Sequence, residues 1–182
     1  MIPQNDITSR AQRIRVVGFD VDGVCTDGRV YYGPTGEALH AFSVRDGLGI
    51  VLARKIGLTL VAVTGRSSAN VAARLGELKV HRILQGVGKK ADAFGAALVE
   101  IGATWDEAAF IGDDINDVPC LRRAGLSACV PEAAEGVSSF VHFVTRRRGG
   151  EGALRELIEL ILRAQGRWPT DGDPESTTTG AS

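Results

Sequence analysis

Asp20-Val-Asp22-Gly23 ends an apolar run over residues 14–19 and sets two carboxylates one residue apart where a buried strand should stop. In an open parallel sheet, ligands bind beyond the carboxyl ends of the strands, so the pair stands where chemistry is expected. An Asp-Gly turn after a strand explains the pair equally well in isolation. Three more polar groups fall at similar breaks. Residues 58–63 run into Thr64-Gly65-Arg66, Lys89-Lys90 opens a helical stretch, and residues 108–111 run into Gly112-Asp113-Asp114-Ile115-Asn116-Asp117. Each alone has a structural account: a strand-to-helix turn, a solvated helix start, a helix N-cap. Together, in this order, each residue type has a task in moving a phosphoryl group. A carboxylate can attack and form an acyl-phosphate. A phosphomonoester brings roughly two negative charges that would repel it. A hard cation such as Mg²⁺, bound through one or two carboxylates, removes that conflict. Asp20 and Asp113 could hold the cation, Lys90 could cancel further charge, and Thr64 could donate to a phosphate oxygen. Asp22 could give a proton to the leaving alkoxide and then take one from water.

The elements that must position these residues can be read from periodicity. Strand-like runs cover 14–19, 58–63, 81–84, 108–111, 127–130 and 140–144, and helix-like stretches cover 48–56, 67–78, 89–101, 116–124 and 153–164. Such alternation predicts right-handed βαβ units: an α/β fold with a Rossmann-like parallel sheet sandwiched by helices. Residues 29–43 break the rhythm, and their Gly-Pro-Thr-Gly centre predicts a β-hairpin flap beside the Asp pair.

Composition sets the outer limits. The chain has 182 residues, a 44% hydrophobic fraction and a net charge of −1, which fits one domain and offers no broad nucleic-acid surface. No apolar run approaches a membrane span, the first 13 residues lack a signal-peptide core, and Cys25, Cys120 and Cys129 show no paired spacing. A cytoplasmic protein with buried thiols is expected. The division expected is an N-terminal arm over 1–13, a domain over 14–166, and a disordered tail over 167–182. His40, His81 and His142 do not cluster and read as surface or structural residues.

The ordered set Asp20/Asp22, Thr64, Lys90 and Asp113 resembles the haloacid dehalogenase-like phosphatase superfamily, over residues 14–166. The resemblance implies Asp20 as nucleophile and Asp22 as acid/base, with the Asp22 backbone carbonyl on Mg²⁺. It implies Thr64, supported by Gly65, and Lys90 as the phosphate-binding pair. Asp113 becomes the remaining protein ligand, with Asp114 and Asp117 ordering metal-bound waters or orienting Lys90. A receiver-type phosphoacceptor domain uses similar residues, but its phosphorylated Asp lies on a later strand with no DxD. The gaps between motifs leave no room for a cap domain, so another copy of the chain is expected to cover the site.

Finer wording narrows the resemblance. Asp20 to Gly28, Phe42-Ser-Val-Arg-Asp-Gly-Leu-Gly49, Val63-Thr-Gly-Arg66, Gln85-Gly86 and Gly112-Asp-Asp look like the 3-deoxy-D-manno-octulosonate 8-phosphate phosphatases. That capless family serves lipopolysaccharide synthesis and is similar to a homotetramer. By resemblance the substrate contacts are Asp22, Ser43, Val44, Arg45, Asp46, Gly47, Arg66, Arg74 and Lys90. The arginines suit a ligand with a carboxylate and a phosphate, since the guanidinium donates two parallel hydrogen bonds. Alone, Arg74 also reads as a surface helix residue and Arg45 as a partner of Asp46. Two positions depart from the family: Glu151 stands in Gly149-Gly-Glu-Gly-Ala153 where an Arg is common, and Cys25 where a Leu is common. Glu151 keeps a nine-carbon 2-keto sugar-acid 9-phosphate open as the substrate, with Arg146, Arg147 and Arg148 as a compensating or a merely solvated run.

Overall fold

In the computed structural model, which describes residues 4–169, the strands in chain order are β1 (Val16–Phe19), β2 (Tyr31–Gly33), β3 (Gly36–Leu39), β4 (Thr59–Val63), β5 (Arg82–Leu84), β6 (Ala108–Gly112), β7 (Leu126–Cys129) and β8 (Phe143–Val144). The helices are α1 (Gln4–Gln12), α2 (Val44–Lys55), α3 (Ala69–Glu77), α4 (Lys90–Ile101), α5 (Val118–Leu121) and α6 (Ala153–Ala164). Six strands form one parallel sheet in the order β5-β4-β1-β6-β7-β8. The chain builds outward from β1 first through β4 and β5, then through β6, β7 and β8, so the order reverses at β1. That reversal opens a crevice between the ends of β1 and β6, the usual ligand position in such sheets. All six sheet strands expected from the sequence are present, with bounds shifted by one to three residues. The last is shortest, because residues 137–140 form a 3₁₀ turn.

Both faces of the sheet are covered, as fully buried parallel strands require. Val17, Phe19, Leu60, Ala62, Ala109 and Ile111 pack under α1, α2, α3 and α6. Their neighbours in sequence, Val16, Val61, Val63, Ala108 and Phe110, pack under α4 and α5. Gly18 belongs to that second face, where a Cβ would lie 2.6 Å from both Phe94 and Phe110. The hairpin of β2 and β3 stands as a separate antiparallel pair, turning through Pro34-Thr35 with Gly33 opposite Gly36. No cap domain is inserted among the described residues, and none of their helices is long and apolar enough to cross a membrane.

Several expectations change. The arm expected over 1–13 is helical over Gln4–Gln12, and Ile7 and Ala11, one turn apart, join the core against α6. A polar stretch can hide a helix whose whole apolar stripe is two small positions. At the other end, order continues to Trp168, which packs on the core beneath the Arg155 and Arg163 guanidinium groups. The rest of the expected tail, 170–182, lies outside the described residues. α2 begins four residues before its expected start because the Ser43 side chain caps it, accepting the Arg45 and Asp46 amides. α6 starts at Gly152, which has no side chain to cap it. Asp46 caps it from α2 instead, accepting the Gly152 amide at 3.1 Å and the Arg155 amide at 2.8 Å.

β8 is held to β7 through His142, whose Nδ1 accepts the Ser127 amide at 2.9 Å and whose own amide donates to the Ser127 carbonyl at 3.0 Å. That first bond needs Nδ1 unprotonated. Burial, aided by the Arg10 charge, pushes the imidazole below its ordinary 6.5. The folded state therefore resists a proton that the unfolded chain accepts, and stability present above pH 6.5 should be lost as pH falls through the lower folded value. Thermal melting between pH 7.5 and 5 should show this loss, and His142→Asn should flatten it.

Candidate active site

Asp20 and Asp113 lie at the adjoining ends of β1 and β6, where the Asp20 amide still pairs with the Ile111 carbonyl at 3.0 Å. Lys90, the first residue of α4, reaches into the crevice between them. Its Nζ lies 2.8 Å from Asp20 Oδ1 and 2.8 Å from Asp117 Oδ1, with only 2% of the side chain exposed. Asp117 Oδ2 accepts the amides of Asp113 (3.1 Å) and Asp114 (3.3 Å), so Asp117 ties the β6 loop together while it holds the lysine. Oxygen atoms of Asp20, Asp113 and Asp117 gather within 4.8 Å of one another. Two glycines make that crowding possible. Gly23, at φ +91°, has its missing Cβ where the Asp113 carboxylate lies, and a Cβ on Gly112 would meet Asp117 at 2.5 Å.

The charge balance of this cluster is unfavourable as it stands. Burial and the Asp117 charge push Asp20 up to about 8, against the pull of Lys90. Burial and Asp117 push Asp113 up to about 6, although it shares a hydrogen bond with Asp20. Burial would lower the Lys90 ammonium, but the two carboxylates beside it outweigh that and raise it. Three carboxyl groups around one ammonium leave a deficit of positive charge. A hard divalent cation among oxygen donors is the chemistry that fits it. Asp20 and Asp113 are the pair able to take one, since both Asp117 oxygens are already engaged.

Asp22 points away from the cluster. Thr64, at the end of β4, donates its hydroxyl to Asp22 Oδ2 at 3.3 Å and accepts the Arg66 amide. Arg66 Nη1 and His40 Nε2 approach the other oxygen, Asp22 Oδ1, at 3.5 and 3.4 Å. Thr64 itself is buried, its amide bonded to Leu84 and its carbonyl to the Val87 amide across Gly65. The structure thus brings Asp20, Asp22, Thr64, Arg66, Lys90, Asp113 and Asp117 together and leaves Asp114 beside them, its carboxylate accepting the Ile115 amide.

The remaining expected substrate contacts sit differently. The Ser43 hydroxyl oxygen and Asp46 carboxylate are spent on capping α2 and α6, and Val44 is exposed on the first turn of α2. Arg74 pairs with Glu77 at 2.9 Å and lies over Gly47, where a Cβ would meet its Nη2 at 2.7 Å. Arg45 opens onto a cleft of about 600 Å³ shared with Arg146, Arg147, Arg155 and Glu151. Glu151 therefore shares its cleft with four arginines, two of them from the basic run just upstream. Its neighbours Gly149 and Gly150 press on the loop after β1: the Gly150 amide donates to the Val24 carbonyl at 2.9 Å, and Gly149 has no room for a Cβ against the Gly23 carbonyl. Cys25 sits beneath the same loop, with Sγ 3.7 Å from the Asp20 carbonyl, and burial pushes its thiol well up.

Sequence reasoning missed His40. Its contact with Asp22 crosses from the hairpin to the first strand end, and no spacing in the chain marks it.

The comparisons with known proteins agree with this geometry. Residues 37–125 match the haloacid dehalogenase-like hydrolase family model. The 3-deoxy-D-manno-octulosonate 8-phosphate phosphatase KdsC of Escherichia coli K12 is 38% identical over 162 residues, 89% of this chain and 86% of that protein. The Moraxella catarrhalis 3-deoxy-D-manno-octulosonate 8-phosphate phosphatase, solved with magnesium, phosphate and KDO, superposes with a TM-score of 0.88 at 38% identity, covering 90% of this chain and 94% of that one. The cobalt-bound Haemophilus influenzae phosphatase gives 0.84 at 36% identity, covering 86% and 92%. By the extent of these matches, the chain belongs to the 3-deoxy-D-manno-octulosonate 8-phosphate phosphatase family of haloacid dehalogenase-like hydrolases.

Proposed function

We propose that this protein is a magnesium-dependent phosphatase that hydrolyses 3-deoxy-D-manno-octulosonate 8-phosphate, with Asp20 as the transient phosphoryl carrier. The observation that carries the reading is the buried Lys90 ammonium, 2.8 Å from Asp20 at the very strand end where the family's nucleophile stands. An Asp20 oxygen attacks phosphorus and the bond to the sugar oxygen breaks, while Asp22 delivers a proton to that oxygen. Asp22 then removes a proton from water, the water oxygen attacks the acyl-phosphate, and phosphate departs, returning the Asp20 carboxylate. Thr64 and Lys90 bind the phosphoryl oxygens, and Asp117 keeps Lys90 aimed. Asp20, Asp113 and the Asp22 backbone carbonyl would hold Mg²⁺, which supplies the charge neutralisation that lets a carboxylate approach a phosphate dianion.

Substrate recognition follows from the cations around the crevice. Arg66, beside Asp22, is placed for the sugar acid's anionic groups. Arg45 and the start of α2, residues 43–47, offer a second cationic edge, with Asp46 acting by fixing that edge to α6 rather than by touching the sugar. Arg74, which lies over Gly47 and among the described residues pairs only with the exposed Glu77, offers a further guanidinium to the same anionic groups. The crevice is open, and Tyr31, Tyr32, Leu39, Val44 and Leu48 expose apolar surface on the hairpin and α2. That pattern supports a homotetramer in which neighbours cover the site. Sedimentation of the magnesium-loaded protein at the mass of a single subunit would exclude it.

Phosphate release from eight-carbon and nine-carbon 2-keto sugar-acid phosphates, with hexose phosphates as controls, tests the function. Turnover should require Mg²⁺ and favour the eight-carbon substrate. A preference for the nine-carbon acid would move the assignment to Glu151 and its arginines, and a preference for hexose phosphates would remove the arginine argument. In the same assay Asp20→Asn should abolish turnover while the melting temperature holds.

Magnesium affinity should also depend on pH. Asp20, raised to about 8, and Asp113, raised to about 6, are charged only as pH rises through those values. Binding must displace their protons. Calorimetric titration should show affinity climbing from pH 6 to pH 8 with proton release, most strongly at the lower end. A pH-independent affinity would reject this ligand pair.

A further inference from the structure

His40 touches the proposed proton donor yet belongs to none of the groups so far given a task. Its imidazole is wholly covered, although its main chain is partly exposed on the segment that leaves the hairpin. Nε2 lies 3.4 Å from Asp22 Oδ1, and both atoms are sealed from solvent. On the far side of the ring, Nδ1 lies 3.5 Å from the hydroxyl of Ser68, the residue that caps α3 by accepting the Val71 amide. In the tautomer in which Ser68 donates to Nδ1, the ring proton sits on Nε2, 3.4 Å from Asp22 Oδ1 and not in hydrogen-bond geometry with it. Phe42 stands beside the imidazole at 6.1 Å and limits its tilt.

A carboxyl group anchored through one oxygen can still rotate about its last bond. Thr64 fixes Asp22 Oδ2, and two groups stand near Oδ1 without hydrogen-bond geometry: His40 and Arg66. They are not equivalent. The Arg66 side chain is 35% exposed, and under the proposed function the anionic substrate competes for it. His40 is covered, short, and held from behind by α3, so it stays on Oδ1 when Arg66 turns to the ligand. We propose that His40 is a positioning residue that sets the plane of the Asp22 carboxyl, aiming it at the oxygen of the departing alcohol. The contact is long as it stands, and such contacts commonly shorten in the substrate complex. The inference rests on the reading of Asp22 as the proton donor.

Leaving-group dependence separates positioning from simple support. An alkyl phosphate needs a proton on its departing oxygen, whereas p-nitrophenyl phosphate loses a stable phenolate without one. The value of kcat/KM for each reports the steps through the first phosphoryl transfer. With the magnesium-loaded enzyme, Asp22→Asn should lower kcat/KM for 3-deoxy-D-manno-octulosonate 8-phosphate by about 10²-fold or more and spare p-nitrophenyl phosphate far more. His40→Leu should lower the alkyl value by about tenfold and the aryl value by less than about threefold, as an aiming loss does. His40→Gln, whose amide nitrogen can stand near the Nε2 position, should recover much of it, and His40→Leu should add nothing on top of Asp22→Asn. Equal losses on both substrates, no loss on either, or additivity in the double variant would overturn the role. If His40→Leu does not fold, His40→Gln against the shorter His40→Asn makes the same comparison. An Asp22→Asn variant that slows both substrates equally would instead overturn the proton-donor reading itself.

Discussion

Lys90 is the charge around which both strand-end loops are arranged. Its ammonium is all but excluded from water, with Asp20 on one side and Asp117 on the other, each at 2.8 Å. Taking such a group out of water gains little net stability, since desolvation cancels most of the Coulomb attraction, while leaving the buried charge with no partner at all costs about 3–5 kcal/mol. Folding alone would be served as well by apolar side chains of similar volume. A buried lysine at the head of a helix, shared between the end of one strand and the loop after another, is the kind of local cost that a sequence carries for function. The rest follows from it. Asp117 must turn inward to reach the lysine. The loop from Asp113 must wrap around Asp117 to satisfy its second oxygen, and Gly112 must lack a side chain for that wrap to close.

The same cluster explains the demand for a divalent cation in physical terms. One ammonium cannot balance three carboxyl groups in a buried crevice, and the imbalance shows as raised affinities for protons at Asp20 and Asp113. A carboxylate that holds its proton is a poor nucleophile. In the proposed mechanism the charge that pulls protons off the pair is therefore also the charge that makes Asp20 reactive and lets a dianionic ester approach. Metal binding, nucleophile activation and substrate attraction reduce to one electrostatic requirement, met at the point where the sheet order reverses.

What could be read in the chain was whatever is fixed by strand ends. Asp20, Thr64 and Asp113 each directly follow or close an apolar run, and Lys90 opens a helix, so spacing alone placed them on one edge of a parallel sheet. Gly23 and Gly112 were visible as motif members, though their reason, room for Asp113 and Asp117, needs coordinates. The unread parts depend on contacts distant in sequence. Asp46 caps a helix more than a hundred residues away, Trp168 packs on the core under two arginines of the preceding helix, and α1 shows only Ile7 and Ala11 as its apolar stripe. His40 looked like an ordinary hairpin residue because only folding the hairpin over β1 brings it to Asp22. The family's contact pattern around residues 43–47 and Arg74 was legible as a motif. Its physical content proved partly architectural: Ser43 and Asp46 spend their side chains on helix caps.

Lacking a cap domain, the fold restrains the loop after β1 by other means. On one side Thr64 bonds Asp22 and His40 stands 3.4 Å from it, joining that loop to the end of β4 and to the hairpin. On the other, Gly149 and Gly150 lie directly on residues 23–27, a contact that only residues without a Cβ permit, and the Gly150 amide bonds to Val24. Asp46 then secures the glycine segment itself by fixing Gly152 to α2. The loop bearing Asp20 and Asp22 is thus gripped between the hairpin and the segment that leads into α6, each anchored in a different part of the molecule. Catalytic geometry tolerates errors of only about half an ångström, so a short exposed loop could not supply it unaided. Gripping it from both sides achieves that precision while leaving the crevice above Asp20 open for a sugar acid to enter.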